Sequence, residues 1–311
     1  MNEFELIARL TRTLPTAECV RVGPGDDCAV LDLGLASEFV LFKTDAVVEG
    51  VHFTASTPPA KIGRKALGRC LSDIAAMAGR PACALVTLAL PRQFDAAFIE
   101  AIYDGLTTLA RNHAVAIAGG ETTTNPDRIL VSIALLGLVA KDRCVLRAGA
   151  QPGDAIFVTG ELGGSLAGKH LDFEPRLNEA RWLAGNFPVH CMIDISDGLA
   201  GDLPHLLAAN TMGAELLARA IPVSAAARRA AAAIGAKPPL LAALTDGEDF
   251  ELLFTVAGRD AVPLIDAWKA QFPGLPLSCI GKVTETPGLR LRTEHAVEPL
   301  TAPGYVHFAG N

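Results

Sequence analysis

The sequence predicts a two-domain α/β protein with mixed sheets, and three observations carry that prediction. The chain has 311 residues, enough to enclose two hydrophobic cores. In its first half, apolar runs of strand length alternate with stretches of helical periodicity. A turn-rich segment, Arg147-Ala-Gly-Ala-Gln-Pro-Gly-Asp154, then breaks the pattern before a new apolar run at Ala155. The boundary is placed there, giving domains 1–147 and 148–311.

Composition narrows the classes of function. Half of the residues are hydrophobic and 20% are charged, as in a globular chain. The formal charge of −7, with no block of Lys or Arg, disfavours a nucleic-acid partner. No uncharged run reaches the roughly 18 residues of a membrane span, and Met1-Asn-Glu-Phe-Glu does not read as a signal peptide. The seven cysteines are scattered, without a Cys-x-x-Cys pair, which favours a reducing cytoplasm and argues against a zinc site. So acidic a chain holds a polyphosphate only if cations neutralise both.

In order, residues 3–13 read as an amphipathic helix with Phe4, Ile7, Ala8 and Leu10 on its packing side. Val22-Gly-Pro-Gly-Asp-Asp-Cys-Ala-Val-Leu31 is a tight loop entering a strand; Asp26 reads as a solvated turn residue and Asp27 as a candidate cation ligand. The strand 39–45 delivers Thr44 and Asp45 at its end, and His52 follows in a glycine-containing loop. The strongest helix runs from Gly63 to Gly79, with Leu67, Leu71, Ile74 and Ala78 as one stripe and Gly79 and Pro81 as its stop. Asp73 lies on the neighbouring stripe, where burial demands either a salt bridge to an arginine or a shared metal.

Strands are expected at 83–90, 115–118 and 129–139, with a helix at 98–110 carrying Tyr103. Gly119-Gly-Glu-Thr-Thr123 reads as a ligand-approaching loop after the second strand, where Glu121 can coordinate or accept a hydrogen bond. There is no G-x-G-x-x-G or Walker loop, so a nucleotide is held by other means. Arg147 serves either to clamp a phosphate or to bridge the domains. Past the boundary come a strand at 155–159 and a phosphate-friendly Leu162-Gly-Gly-Ser-Leu-Ala-Gly-Lys169. A strand at 189–193 follows, then the turn Asp194-Ile-Ser-Asp-Gly198. Its two carboxylates and one hydroxyl are oxygen ligands suited to Mg²⁺, or a helix cap. Asp202 is placed as the cap of a segment with Pro204 in its first turn. An alanine-rich helix spans 225–233. Glu248, Asp249 and Glu251 precede an apolar strand, and 279–283 is the last strand signal. Tyr305 and His307 lie near the end.

Taken in this order, the acidic segments resemble the thiamine-monophosphate kinase family. They are 23–29, 43–53, 71–77, 119–123, 147–154, 193–199, 247–252 and 304–308, nearly the length of the chain. The resemblance implies a two-domain aminoimidazole-ribonucleotide-synthetase-like fold. It also implies a cytoplasmic homodimer joined through the N-terminal domains, which bind ATP and Mg²⁺, with the C-terminal domain completing the site. The implied reaction transfers the γ-phosphate of ATP to thiamine monophosphate. By motif, Asp27, Thr44, Asp45, Asp73, Asp194 and Asp197 correspond to ligands of several Mg²⁺ ions. Tyr103, Gly120, Arg147 and Ser196 correspond to ATP contacts, and His52, Glu248 and Tyr305 to thiamine-monophosphate contacts. Glu121 stands where the family usually carries Asp; it is retained as a metal and ATP ligand. The segment 165–175 is shorter than usual.

The acceptor is itself a phosphate monoester and a nucleophile at neutral pH, so no general base is required and direct in-line transfer is expected. The competing readings are another ATP-using member of the superfamily, such as a purine-synthesis synthetase or hydrogenase-maturation protein, a metal-dependent phosphohydrolase, and a non-catalytic nucleotide-binding protein.

Overall fold

The structure, a computed structural model, describes residues 3–301 and 304–305, apart from the side chain of Phe4. The expectations for Phe4 and His307 therefore lie outside the described residues. Among these, the chain forms two mixed sheets. The first contains β1 (Val20–Val22), β2 (Ala29–Leu31), β3 (Glu38–Val48), β4 (Arg80–Leu90), β5 (Ala116–Thr124) and β6 (Leu130–Ala140) in the order β1-β2-β3-β6-β4-β5. Only β4 and β5 pair in parallel. Helices α1 (Glu3–Thr11), α2 (Pro59–Ala76) and α3 (Ala96–Asn112) belong to this half.

The second sheet contains β7 (Ala155–Thr159), β8 (Val189–Asp194), β9 (Gly213–Leu217), β10 (Leu252–Val256), β11 (Leu277–Thr284), β12 (Gly288–Arg292) and β13 (Val297–Pro299). Their order is β13-β12-β9-β11-β7-β10-β8. Around it lie α4 (Lys169–Asp172), α5 (Leu177–Asn186), α6 (Leu199–Leu207), α7 (Ala225–Ala230), α8 (Pro239–Thr245) and α9 (Ala261–Gln271).

The strands β7, β10 and β8 of the second sheet are buried on both faces, and strand alternation sorts their side chains. Phe157, Met192 and Phe254 join Leu41, Leu67, Ile74 and Ile133 in a core shared with the first sheet. Ile156, Val158, Ile193 and Leu253 face the other way, into a second core with Leu199, Leu203 and Leu244. Helix α2 sits at the junction. It packs on α3, β3 and β6 on one side and on α4, α5 and β8 on the other. That is why almost every residue from Ile62 to Ala76 is buried, polar ones included.

Several expectations are corrected. Helix α2 begins four residues earlier than Gly63, with Pro59 at its first position. It ends before Gly79; Ala78 takes the left-handed turn (φ 56°). Gly79 is needed for another reason, since a Cβ there would lie 2.5 Å from Leu41 Cδ1. Residues 119–123 are not a loop: they extend β5 along β4. Helix α6 starts at Leu199, so Asp202 lies inside it. The helix expected at 225–233 ends at Ala230, and β12 and β13 follow the strand taken as the last. Helix α1 forms, but Ile7 and Leu10 stay 46% and 63% exposed, so these two do not join a core among the described residues.

Candidate active site

Three elements aim carboxylates at one point. In β8, Asp194 follows Met192 by two residues and faces the same side, toward α2. Asp73 lies on α2, and Asp27 precedes the strand β2. Oxygens of these three buried carboxylates lie within 4.8 Å of one another. The surroundings are built to hold them. Lys43 Nζ donates to Asp73 Oδ1 at 2.9 Å, Ser72 Oγ donates to Asp194 Oδ2 at 2.5 Å, and Arg147 Nη2 donates to Asp27 Oδ1 at 2.6 Å. The partner of Asp73 is thus a lysine from the sheet, not the arginine one sequence reading supposed. Asp26 is no solvated turn residue either: it accepts from the amides of Asp27 and Arg147.

The electrostatics are unbalanced. Burial pushes the carboxyls of Asp27 and Asp73 up, against the pull of Arg147 and Lys43 respectively. Burial and the neighbouring Asp27 push Asp194 up to about 6. Burial lowers Lys43, but Asp73 and Asp45 outweigh it and hold the ammonium charged. Three carboxylates face two cations, so at neutral pH the cluster must retain a proton or accept a positive ion. Asp27 Oδ2 is buried with no hydrogen-bond partner among the described residues. An oxygen-only donor set with a spare lone pair fits a hard divalent cation such as Mg²⁺.

The turn after β8 is held from within α6. Asp202, fully buried, accepts from the amides of Ser196 and Asp197 at 3.0 Å each. The carbonyl of Ser196 accepts from Glu248 N at 2.7 Å, and that of Asp197 from Tyr305 N at 2.9 Å. Asp194, Ser196, Asp197, Glu248 and Tyr305 are therefore brought to one turn. A Cβ on Gly304 would come within 2.5 Å of Gly201 Cα, so this last described segment can lie on α6 only with glycine there.

A second polar group lies along α2. Lys65, Arg69, Ser72 and Asp73 fall on one helical stripe. Arg69 Nε pairs with Asp45 Oδ2 at 3.0 Å, so Asp45 is engaged away from the carboxylate cluster. Lys65 is fully buried and donates to the His52 carbonyl and to Glu248. The His52 loop is closed by the Gly50 amide on the Phe53 carbonyl, with Gly50 at φ 80°. His52 Nδ1 accepts from Val48 N at 3.1 Å. Burial, then Arg69 and Lys65, lower its pKa to about 4, so the ring is neutral at pH 7.

Other expected residues are not brought to this point. Thr44 is exposed on the opposite face of β3 from Lys43 and Asp45. Glu121 is exposed on β5, its Oε1 accepting from the next amide. Gly120 lets β5 approach β4, since its Cβ would lie 1.8 Å from Val86 O. Tyr103 is half-buried against the shared core. The residues that sequence reasoning missed are the supporting ones: Lys43, Lys65, Arg69, Ser72 and Asp202. The signal for three of them was a polar repeat inside an otherwise apolar helix.

The glycine loop 162–169 binds carboxylates of its own chain. Gly163 N donates to both oxygens of Asp249 at 3.0 Å, and Gly164 N to Asp246 at 2.9 Å. Burial pushes Asp249 up to about 7, with Lys169 opposing. The folded protein thus keeps a proton that the unfolded chain releases near pH 4. This stability is full below that pH and is lost as pH rises to about 7, by up to about 4 kcal/mol. Asp249→Asn is therefore expected to flatten the fall in Tm between pH 5 and pH 8, and to be at least as stable as the parent at pH 8. An unchanged slope would contradict this.

The fold and site define a class. Residues 25–139 match the family model "AIR synthase related protein, N-terminal domain", and residues 151–294 match the corresponding C-terminal domain. The relatives sharpen it. The thiamine-monophosphate kinase of Rhodopirellula baltica is 42% identical over 306 residues, covering 96% of this chain and 93% of that one. That of Escherichia coli K12 is 34% identical, covering 99% and 98%. A solved structure of AaThiL complexed with AMPPCP and TMP superposes with a TM-score of 0.83 at 29% identity, covering 99% and 97%. The chain belongs to the thiamine-monophosphate kinase family. E. coli HypE, a hydrogenase maturation protein, shares the fold at 20% identity and a TM-score of 0.75.

Proposed function

We propose that this protein transfers the γ-phosphate of ATP directly to thiamine monophosphate, giving thiamine diphosphate. The observation that carries the reading is the buried Asp27–Asp73–Asp194 cluster, two cations against three carboxylates, at the junction of the two halves. These three residues would hold Mg²⁺, which when bound would neutralise phosphate charge. Asp197, half-buried on the same turn, and Asp45, if released from Arg69, are the further ligands for additional ions. Thr44 and Glu121 remain candidates only through rearrangement.

Arg147 is suited to the nucleotide: its Nε is buried without a partner among the described residues, which leaves a donor to spare beside Asp27. Ser196, Tyr103 and Gly120 complete the proposed ATP contacts. His52, Glu248 and Tyr305 form the acceptor end. With its pKa lowered to about 4, His52 is a weak base, and a phosphate nucleophile needs none, so its assigned role is to orient the acceptor. The chain's own work is then to position two anions and exclude water.

We assign ATP and Mg²⁺ binding and self-association to residues 1–147, and completion of the site to 148–311. A homodimer is supported by Phe42 and Leu85, about half exposed on the sheet face away from α2, and by the exposed edge strand β5. The unpaired cysteines favour a reducing cytoplasm, and no helix of the described residues is long and apolar enough to cross a membrane. The test is ADP release from ATP and Mg²⁺ with and without thiamine monophosphate. Release that needs the acceptor, with thiamine diphosphate formed in step, is expected. Acceptor-independent release would replace this reading with a hydrolase.

A further inference from the structure

We propose that Lys65 is a positioning residue for the acceptor end of the site, acting through Glu248 and the His52 loop; this rests on the reading of that end given above. The ammonium has three protons and meets three acceptors. They are the His52 carbonyl at 2.8 Å and the Glu248 carboxylate oxygens Oε1 and Oε2 at 2.7 and 2.8 Å. It is fully buried, and its partners come from opposite halves of the molecule. Lys65 thus ties the loop after β3 to the loop before β10 from a helix that is itself packed on both halves.

The Glu248 loop needs such a tie. Glu248 and Phe250 are both left-handed, at φ 52° and 51°, a conformation that side chains other than glycine rarely hold. The backbone is pinned by Glu248 N on Ser196 O and Phe250 N on Ile195 O. The carboxylate is pinned by Lys65. Phe250 stacks on Phe173 at 4.0 Å between ring centroids. Without the ammonium, the backbone would stay in place while the partly exposed Glu248 carboxylate swung free and the His52 carbonyl lost its donor. The charge of Glu248 is already neutralised by Lys65. Its contribution to an acceptor is therefore a directed hydrogen bond, which depends on orientation.

The experiment compares Lys65→Met and Lys65→Arg with the parent, using separate titrations of ATP and thiamine monophosphate. Lys65→Met is expected to raise KM for the acceptor on the order of 10- to 100-fold, with KM for ATP changed less than about 3-fold. Lys65→Arg, which can still grip both carboxylate oxygens, is expected to recover part of that loss. The Lys65→Met, Glu248→Gln double variant leaves no buried charge unpaired and so guards against misfolding. Its acceptor KM is expected to lie within about 3-fold of the larger single-variant value, well below the product of the two effects, because Lys65 and Glu248 act as a unit. Equal loss for both substrates, or independent effects in the double variant, would overturn the proposal while the parent still turned over its acceptor. A parent with no acceptor-dependent turnover would overturn the functional reading and this proposal with it.

Discussion

Asp194→Asn is expected to reduce kcat by roughly 10²–10³-fold, the loss typical of removing one preorganised electrostatic partner from a transition state. The same change is expected to leave the metal-free fold unharmed. Asn keeps the shape and still accepts from Ser72 Oγ through its amide oxygen. It also removes one of three buried carboxylates that repel each other, one already pushed up to about 6. In EDTA the Tm of the variant should therefore match or exceed that of the parent. The rise in Tm on adding Mg²⁺ should shrink or vanish, because a lost ligand weakens linkage. Activity and metal-free stability thus move differently. A variant losing both in parallel would mark Asp194 as structural, and one keeping full activity would remove it from the site.

The parts of the site that the sequence disclosed are those where chemistry is written into a short motif. Asp194 and Asp197 share a strand-to-helix turn, and a carboxylate on the buried stripe of α2 demanded a partner. The strands were legible because apolar runs of strand length do not depend on their neighbours to be recognised, but one core spans both sheets where a separate core for each domain was expected. What was not legible depends on distance in the chain. Lys43 lies thirty positions from Asp73, and nothing local distinguishes it from a surface lysine. Lys65 and Arg69 belong to a polar repeat whose burial no local pattern announces. They are buried because α2 is covered on both sides, a fact of tertiary packing. Asp202 was expected to cap a helix; it lies inside α6 instead and holds the amides of the preceding turn. The glycine loop at 162–169 had the composition of a phosphate cradle, yet its amides are taken by Asp246 and Asp249 from the far end of the second half.

Gly63→Ala and Gly105→Ala are each expected to destabilise the protein by about 3 kcal/mol, and to impair catalysis below the melting temperature as well. By helix propensity alone the prediction would have the opposite sign, since alanine gains up to about 1 kcal/mol over glycine in a helix. Contact decides otherwise. A Cβ on Gly63 would sit 1.8 Å from Ile102 O, and one on Gly105 would sit 1.8 Å from Ala60 O. Both obstacles are backbone, so no rotamer relieves them, and α2 and α3 must part by more than 1 Å to reach ordinary contact. Helix α2 carries Lys65, Arg69, Ser72 and Asp73, while its other side is fixed against β8 and α5. A shift of that size misplaces the carboxylates and can cost about 10²-fold in rate. Gly105→Ala is the sharper test, because α3 contributes nothing to the carboxylate cluster. Because α3 also carries Tyr103, a proposed ATP contact, the loss that reports a displaced α2 is the fall in kcat at saturating ATP. Thermal melts and kcat measured about 15 °C below the Tm check both effects. An unchanged Tm would mean that the two helices are not packed as closely as the glycines imply.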